Sequence, residues 1–159
     1  MKKTLALGTI AAALVLVGAV LPIAAQAATK TVKIEGVDQM RYTVTKIEAK
    51  AGSKLHIVLT TKSALPKSQM AHDFVILKPK YDNPGGIANF VLMASTARNN
   101  HYIPKRLAHE ILASTDLAGN GETVETTFTV PSKPGSYTYF CTFPSHYNSG
   151  MKGTLVVTK

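Results

Sequence analysis

Downstream of residue 30, apolar and polar residues alternate along much of the chain. Thr31-Val-Lys-Ile-Glu, Tyr42-Thr-Val-Thr-Lys-Ile-Glu and Lys54-Leu-His-Ile-Val-Leu-Thr place apolar side chains at alternate positions, the period of a strand with one buried face. His72–Leu77 is more continuously apolar and predicts a more buried strand, and Thr123–Val130, Ser136–Cys141 and Gly153–Thr158 predict three more. Gly and Pro interrupt pairing at Ala51-Gly-Ser, Leu65-Pro-Lys-Ser, Pro84-Gly-Gly and Pro131-Ser-Lys-Pro-Gly. Short strands separated by regular turn signals predict an all-β sandwich. One stretch departs from the pattern. Across residues 87–113, Ala88-Asn-Phe-Val-Leu-Met-Ala and Pro104-Lys-Arg-Leu-Ala-His-Glu-Ile-Leu permit one or two short helices, read as a flap on the side of the sandwich and not as a second domain.

Residues 1–27 follow different rules. Lys2 and Lys3 precede an apolar run without acidic residues, and Ala25-Gln-Ala27 ends it with small side chains. Charged start, apolar middle and small-residue end describe a secretory signal peptide. An uncleaved segment would leave the protein membrane-anchored, but Pro22 and the Ala-Gln-Ala site favour cleavage. The expected product is one domain, residues 28–159, in the periplasm and without stable membrane insertion. At 132 residues it is long enough to bury a core. Loss of Lys2 and Lys3 lowers the net charge from +9 to +7. The basic residues are scattered, which argues against nucleic acid. They serve solubility or steering toward a partner with an acidic surface.

Export also frames the chemistry. Disulfides are usual outside the cytoplasm, yet Cys141 is the only cysteine, so no internal bridge can form. Cys141, His146 and Met151 lie five residues apart in one segment, and His72 lies far upstream in Met-Ala-His-Asp-Phe. Two imidazoles, one thiolate and one weak thioether are the donor set of a blue-copper site. Structural zinc would call for four strong ligands, commonly in paired spacings, and no such pairing occurs. The competing chemistry is a Cys–His catalytic pair, with Cys141 as nucleophile and His72 or His146 as base. That reading offers no obvious orienting third residue or oxyanion hole, and it leaves Met151 without a role. His56, His101 and His109 read as surface or hydrogen-bonded histidines.

With those residues in view, the chain resembles the azurin-type cupredoxins, and its ligand loop resembles that of the auracyanins. The likeness rests on Cys141-Thr-Phe-Pro144, Met151-Lys-Gly-Thr-Leu155, Asp38-Gln-Met40, Leu65-Pro-Lys-Ser-Gln-Met-Ala-His72 and Leu107-Ala-His109, all in the family's order. It implies a Greek-key sandwich of about eight strands with one type 1 copper at one end. His72, Cys141 and His146 would be the equatorial ligands and Met151 the axial one. Met40, Met70 and Phe143 would border an apolar patch beside His146. Four departures stand out. Ala71 replaces the glycine whose carbonyl faces copper in azurin, and Asp73 replaces the usual asparagine, whose side chain ties the His strand to the Cys loop. Phe74 replaces a common tryptophan and reads as core, and the spacing from His146 to Met151 follows auracyanin and plastocyanin instead of azurin.

The resemblance implies a monomeric one-electron carrier and not an enzyme. Its partners would be redox proteins such as cytochromes or a terminal oxidase or reductase. The alternative is a periplasmic protein for copper storage or delivery, against which stands the absence of a methionine-rich cluster.

Overall fold

The computed structural model describes residues 28–159; the segment read as a signal peptide, 1–27, lies outside the described residues. The strands are β1 (Lys30–Val37), β2 (Arg41–Tyr42), β3 (Lys46–Lys50), β4 (Lys54–Lys62), β5 (Val75–Leu77), β6 (Ile111–Ser114), β7 (Thr123–Thr129), β8 (Gly135–Phe140) and β9 (Lys152–Thr158). They form two sheets, ordered β2-β1-β4-β7 and β3-β9-β8-β5-β6. Nine strands stand where about eight are expected, and β2 contributes only two residues.

The alternating pattern becomes packing at the interface of the sheets. Strand β4 buries Leu55, Ile57, Leu59 and Thr61, and β9 buries Gly153, Leu155 and Val157. Each fully buried Leu or Ile contributes roughly 1.5–3 kcal/mol. Phe74 is fully buried, as expected of core, with its ring stacked 5.0 Å from that of Tyr139. The Tyr139 hydroxyl donates to the Val44 carbonyl at 2.6 Å, so this aromatic core leaves no buried hydroxyl unpaired there.

Three elements differ from the periodicity. Residues 42–48 are not one strand, because the chain passes from the first sheet to the second between Tyr42 and Lys46. His72–Leu77 is strand only from Val75; ahead of it, His72 makes an isolated bridge with Ala118. Ile111–Ser114, whose first three residues fall in the stretch read as flap, is a strand paired with β5.

The flap itself comprises helix α1 (Pro84–Ala94) and two 3₁₀ turns, Arg98–Asn100 and Lys105–Glu110. Asn83 caps α1 by accepting from the Gly86 N–H at 3.0 Å, with Pro84 in the first turn. Ile87 and Phe90 pack on Val75, Leu77 and Phe140, covering one face of the second sheet. Among the described residues, no helix is long and apolar enough to cross a membrane.

Candidate metal centre

The donor atoms of His72, Cys141 and His146 lie within 4.8 Å of one another, and all three residues are buried. Cys141 follows the end of β8, and His146 lies in the turn that leads to β9. Backbone bonds close this loop. The Cys141 N–H donates to the Met151 carbonyl at 3.2 Å, and the Met151 N–H donates to the His146 carbonyl at 2.9 Å. Met151 is fully buried, and its backbone is bonded to both neighbouring donor residues. Gly150, at φ +97, makes the reversal that returns the chain to Met151.

His72 arrives from the opposite side. Its N–H donates to the Ala118 carbonyl at 2.9 Å, and its carbonyl accepts from the Ala118 N–H at 2.8 Å. The adjacent Asp73 spans the gap to the loop: its carboxylate accepts from the Thr142 N–H at 2.7 Å and from the Thr142 hydroxyl. The tie made by asparagine in the resembling family is thus made here by an acid. Burial pushes the Asp73 carboxyl up to about 6, against the pull of its hydrogen bonds from Thr142.

Desolvation sets the state of the donors. Burial lowers His72 to about 4, opposed by the charge of Asp38, and lowers His146 to about 4, with the charge of His72 adding to the effect. Both imidazoles are neutral at pH 7 and keep a lone pair for a metal. Burial pushes the Cys141 thiol well up, and the Asp73 charge pushes it further, while backbone N–H groups of Asp73 and Phe143 favour the thiolate. A cation binding there must displace the thiol proton.

The residues fit such a cation. Both ring nitrogens of His72 are buried without a hydrogen-bond partner, and each unpartnered buried polar group costs about 1–3 kcal/mol. A metal accepting one lone pair would offset part of that cost. The donors are soft sulfur and imidazole nitrogen, with Cys141 Sγ 3.5 Å from His146 Nδ1, a set that suits copper. His56 instead faces Thr127 and Glu125 on the first sheet, and the His109 ring meets Tyr81 edge-on.

Phe143 covers His146, with ring centroids 4.8 Å apart, and His146 is only 2 % exposed. Met70 is also buried, Met40 half-buried. Two supporting residues carry no signal in the sequence. The Tyr42 hydroxyl donates to the Asp73 carbonyl, and the Arg41 guanidinium donates to the carbonyls of Met40 and Ser149, holding β2 to the loop. A Tyr that opens an alternating run reads as core, and the Arg before it reads as surface.

Comparison with known proteins agrees with this geometry. Residues 28–158 match the profile of copper binding proteins of the plastocyanin/azurin family. The chain is similar to auracyanin-A of Chloroflexus aurantiacus, with 35 % identity over 76 % of this chain and 68 % of that protein. It is similar to azurin of Alcaligenes faecalis, with 35 % identity over 78 % of this chain and 94 % of that protein. The structure of the blue copper protein auracyanin A superimposes with a TM-score of 0.71 at 30 % identity, covering 82 % of this chain and all of that one.

The tie at Asp73 makes a prediction about stability. Asp73→Asn keeps an acceptor for the Thr142 N–H and supplies a donor to its hydroxyl, so metal-free stability should change by less than about 1 kcal/mol. Asp73→Ala strands both groups and should cost about 2–4 kcal/mol. Urea unfolding of the metal-free variants measures both, and equal losses would show that the hydrogen bonds do not hold the site together.

Proposed function

Since the chain belongs to the plastocyanin/azurin family of copper binding proteins, with copper as its cofactor, we propose that it is a periplasmic one-electron carrier in which His72, Cys141 and His146, with Met151 as a weak fourth donor, would hold one type 1 copper. The observation that carries the assignment is the buried cluster of two neutral imidazoles and a thiol within 4.8 Å. Copper there supplies a Cu(I)/Cu(II) couple. The chain supplies the rest. The backbone bonds through Met151 fix the loop, Asp73 fixes its distance from His72, and burial keeps water from the donors. Ligands held in this way reorganise little on gain or loss of an electron, which favours fast transfer.

The surface beside the loop supports a partner of particular character. Leu92 of α1 is 69 % exposed and, with Val91, Phe143, Pro144 and Tyr147, lines a groove along the loop. Lys152 lies over the Tyr147 ring at 4.8 Å, and Arg98 lines a second depression together with Phe143. An apolar contact flanked by cations favours a redox protein with an acidic rim. The protein acts as a monomer, exported by the segment 1–27 and cleaved after Ala27.

Three measurements test this reading. Cys141→Ser should abolish the intense blue absorption of the Cu(II)-loaded protein, whereas Met151→Leu should keep a coloured site and raise its potential, because a weak axial thioether modestly stabilises Cu(II). Loss of all copper in Met151→Leu would remove Met151 from the axial role. Copper at a hundredfold excess over its Kd should stabilise the fold by about 2.7 kcal/mol, a rise in Tm on the order of 10 °C. His72→Ala should remove most of that rise; an undiminished rise would mean that His72 is not a ligand.

The third concerns docking. Arg98→Glu and Lys152→Glu should each slow oxidation of the reduced protein by hexacyanoferrate(III), an anion, and speed oxidation by a cationic cobalt(III) complex, with both effects fading in salt. Lys54→Glu is the control, since Lys54 opens the strand whose far end approaches the site, about 25 Å away. Equal effects from all three variants would leave only net charge, with no docking face.

A further inference from the structure

We propose that Gly36 is a positioning residue for His72: by carrying no side chain, it lets β1 close against the imidazole and sets where the ring nitrogens lie. The inference rests on the assignment of His72 as a copper ligand. A Cβ at Gly36 would lie 2.6 Å from Cδ2, 2.7 Å from Cγ and 2.9 Å from Cβ of His72. Turning the ring about its Cβ–Cγ bond cannot relieve the overlap, since Cβ and Cγ stay in place. The backbone does not need the glycine. Gly36 has no positive φ and sits within a regular strand. It is the missing side chain that matters.

Neither wall of the contact can easily retreat. Strand β1 is paired on both sides, with Gly36 opposite Tyr42 of β2 and Thr61 of β4. His72 is held by its two backbone bonds to Ala118, and the Thr61 hydroxyl donates to the same Ala118 carbonyl at 2.9 Å. A ligating histidine is commonly oriented by a hydrogen bond at its second ring nitrogen. His72 has no such bond at either nitrogen. Close packing against Gly36 takes over that orienting role.

A double-mutant cycle on the full chain, read by thermal unfolding of the metal-free protein and by Cu(II) titration, tests the inference. Gly36→Ala should lower the metal-free melting temperature much more in the parent than in His72→Ala, where the overlaps with Cγ and Cδ2 are gone and only that with Cβ remains. In the copper-loaded parent, Gly36→Ala should weaken Cu(II) binding about ten- to a hundredfold and change the visible and electron paramagnetic resonance spectra. If Gly36→Ala folds only together with His72→Ala, the contact is supported. If it folds in neither background, or lowers stability equally in both, the contact with the His72 imidazole is not what requires glycine, and the positioning role is overturned. Unchanged copper affinity and spectra in a destabilised Gly36→Ala would make Gly36 structural only and overturn the positioning role. A parent that binds no copper overturns the ligand assignment, while the metal-free cycle still decides whether Gly36 packs on His72.

Discussion

The carboxylate of Asp73 joins two segments nearly seventy residues apart, and the geometry of the centre depends on it. Its two bonds to Thr142 fix the Cys141 loop against the His72 segment, and the Tyr42 hydroxyl anchors the Asp73 carbonyl from a third direction. These groups are buried, so each bond is worth more than on a surface and its loss leaves a desolvated polar group. An acid in this place is held at a cost. Desolvation raises its carboxyl, and its charge in turn raises the neighbouring thiol. The tie and the thiolate are electrostatically opposed, and a bound cation relieves both.

Burial acts on the remaining donors in the direction a metal needs. It strips protons from the imidazoles and leaves one on the sulfur. The protein thus presents two lone pairs in advance and yields one proton on binding. The unpartnered His72 nitrogens fit the same pattern: a metal would satisfy a polar group that is kept dry. Steric walls then orient what hydrogen bonds do not, with Phe143 over His146 and β1 against His72.

The flap gives the fold its asymmetry. Helix α1 spends Ile87 and Phe90 on the second sheet and leaves Leu92 in solvent beside the ligand loop. The 3₁₀ turns carry Arg98, Lys105 and Arg106 with Glu110 as their one acid. An element that seals the core therefore also shapes the surface next to the centre.

Much of this was legible in the chain. Alternation marked most strands because a half-buried strand must repeat every two residues, and the spacing of Cys141, His146 and Met151 reported a short loop carrying soft donors. Less visible was the switch of sheets after Tyr42, although its trace was present: the apolar positions run through Tyr42 and Val44, then slip by one to Ile47 and Ala49. Ile111–Ser114 was hidden because a four-residue strand is too short for a period. Sequence by itself determined the donor types and the β architecture, and the family resemblance marked Asp73 as the candidate tie. Only the tertiary structure decided that His72 meets the loop with both nitrogens unpartnered, that Arg41 and Tyr42 brace the site, and that Gly36 must lack a side chain. Those facts depend on distances between segments far apart in the chain, and no local pattern encodes them.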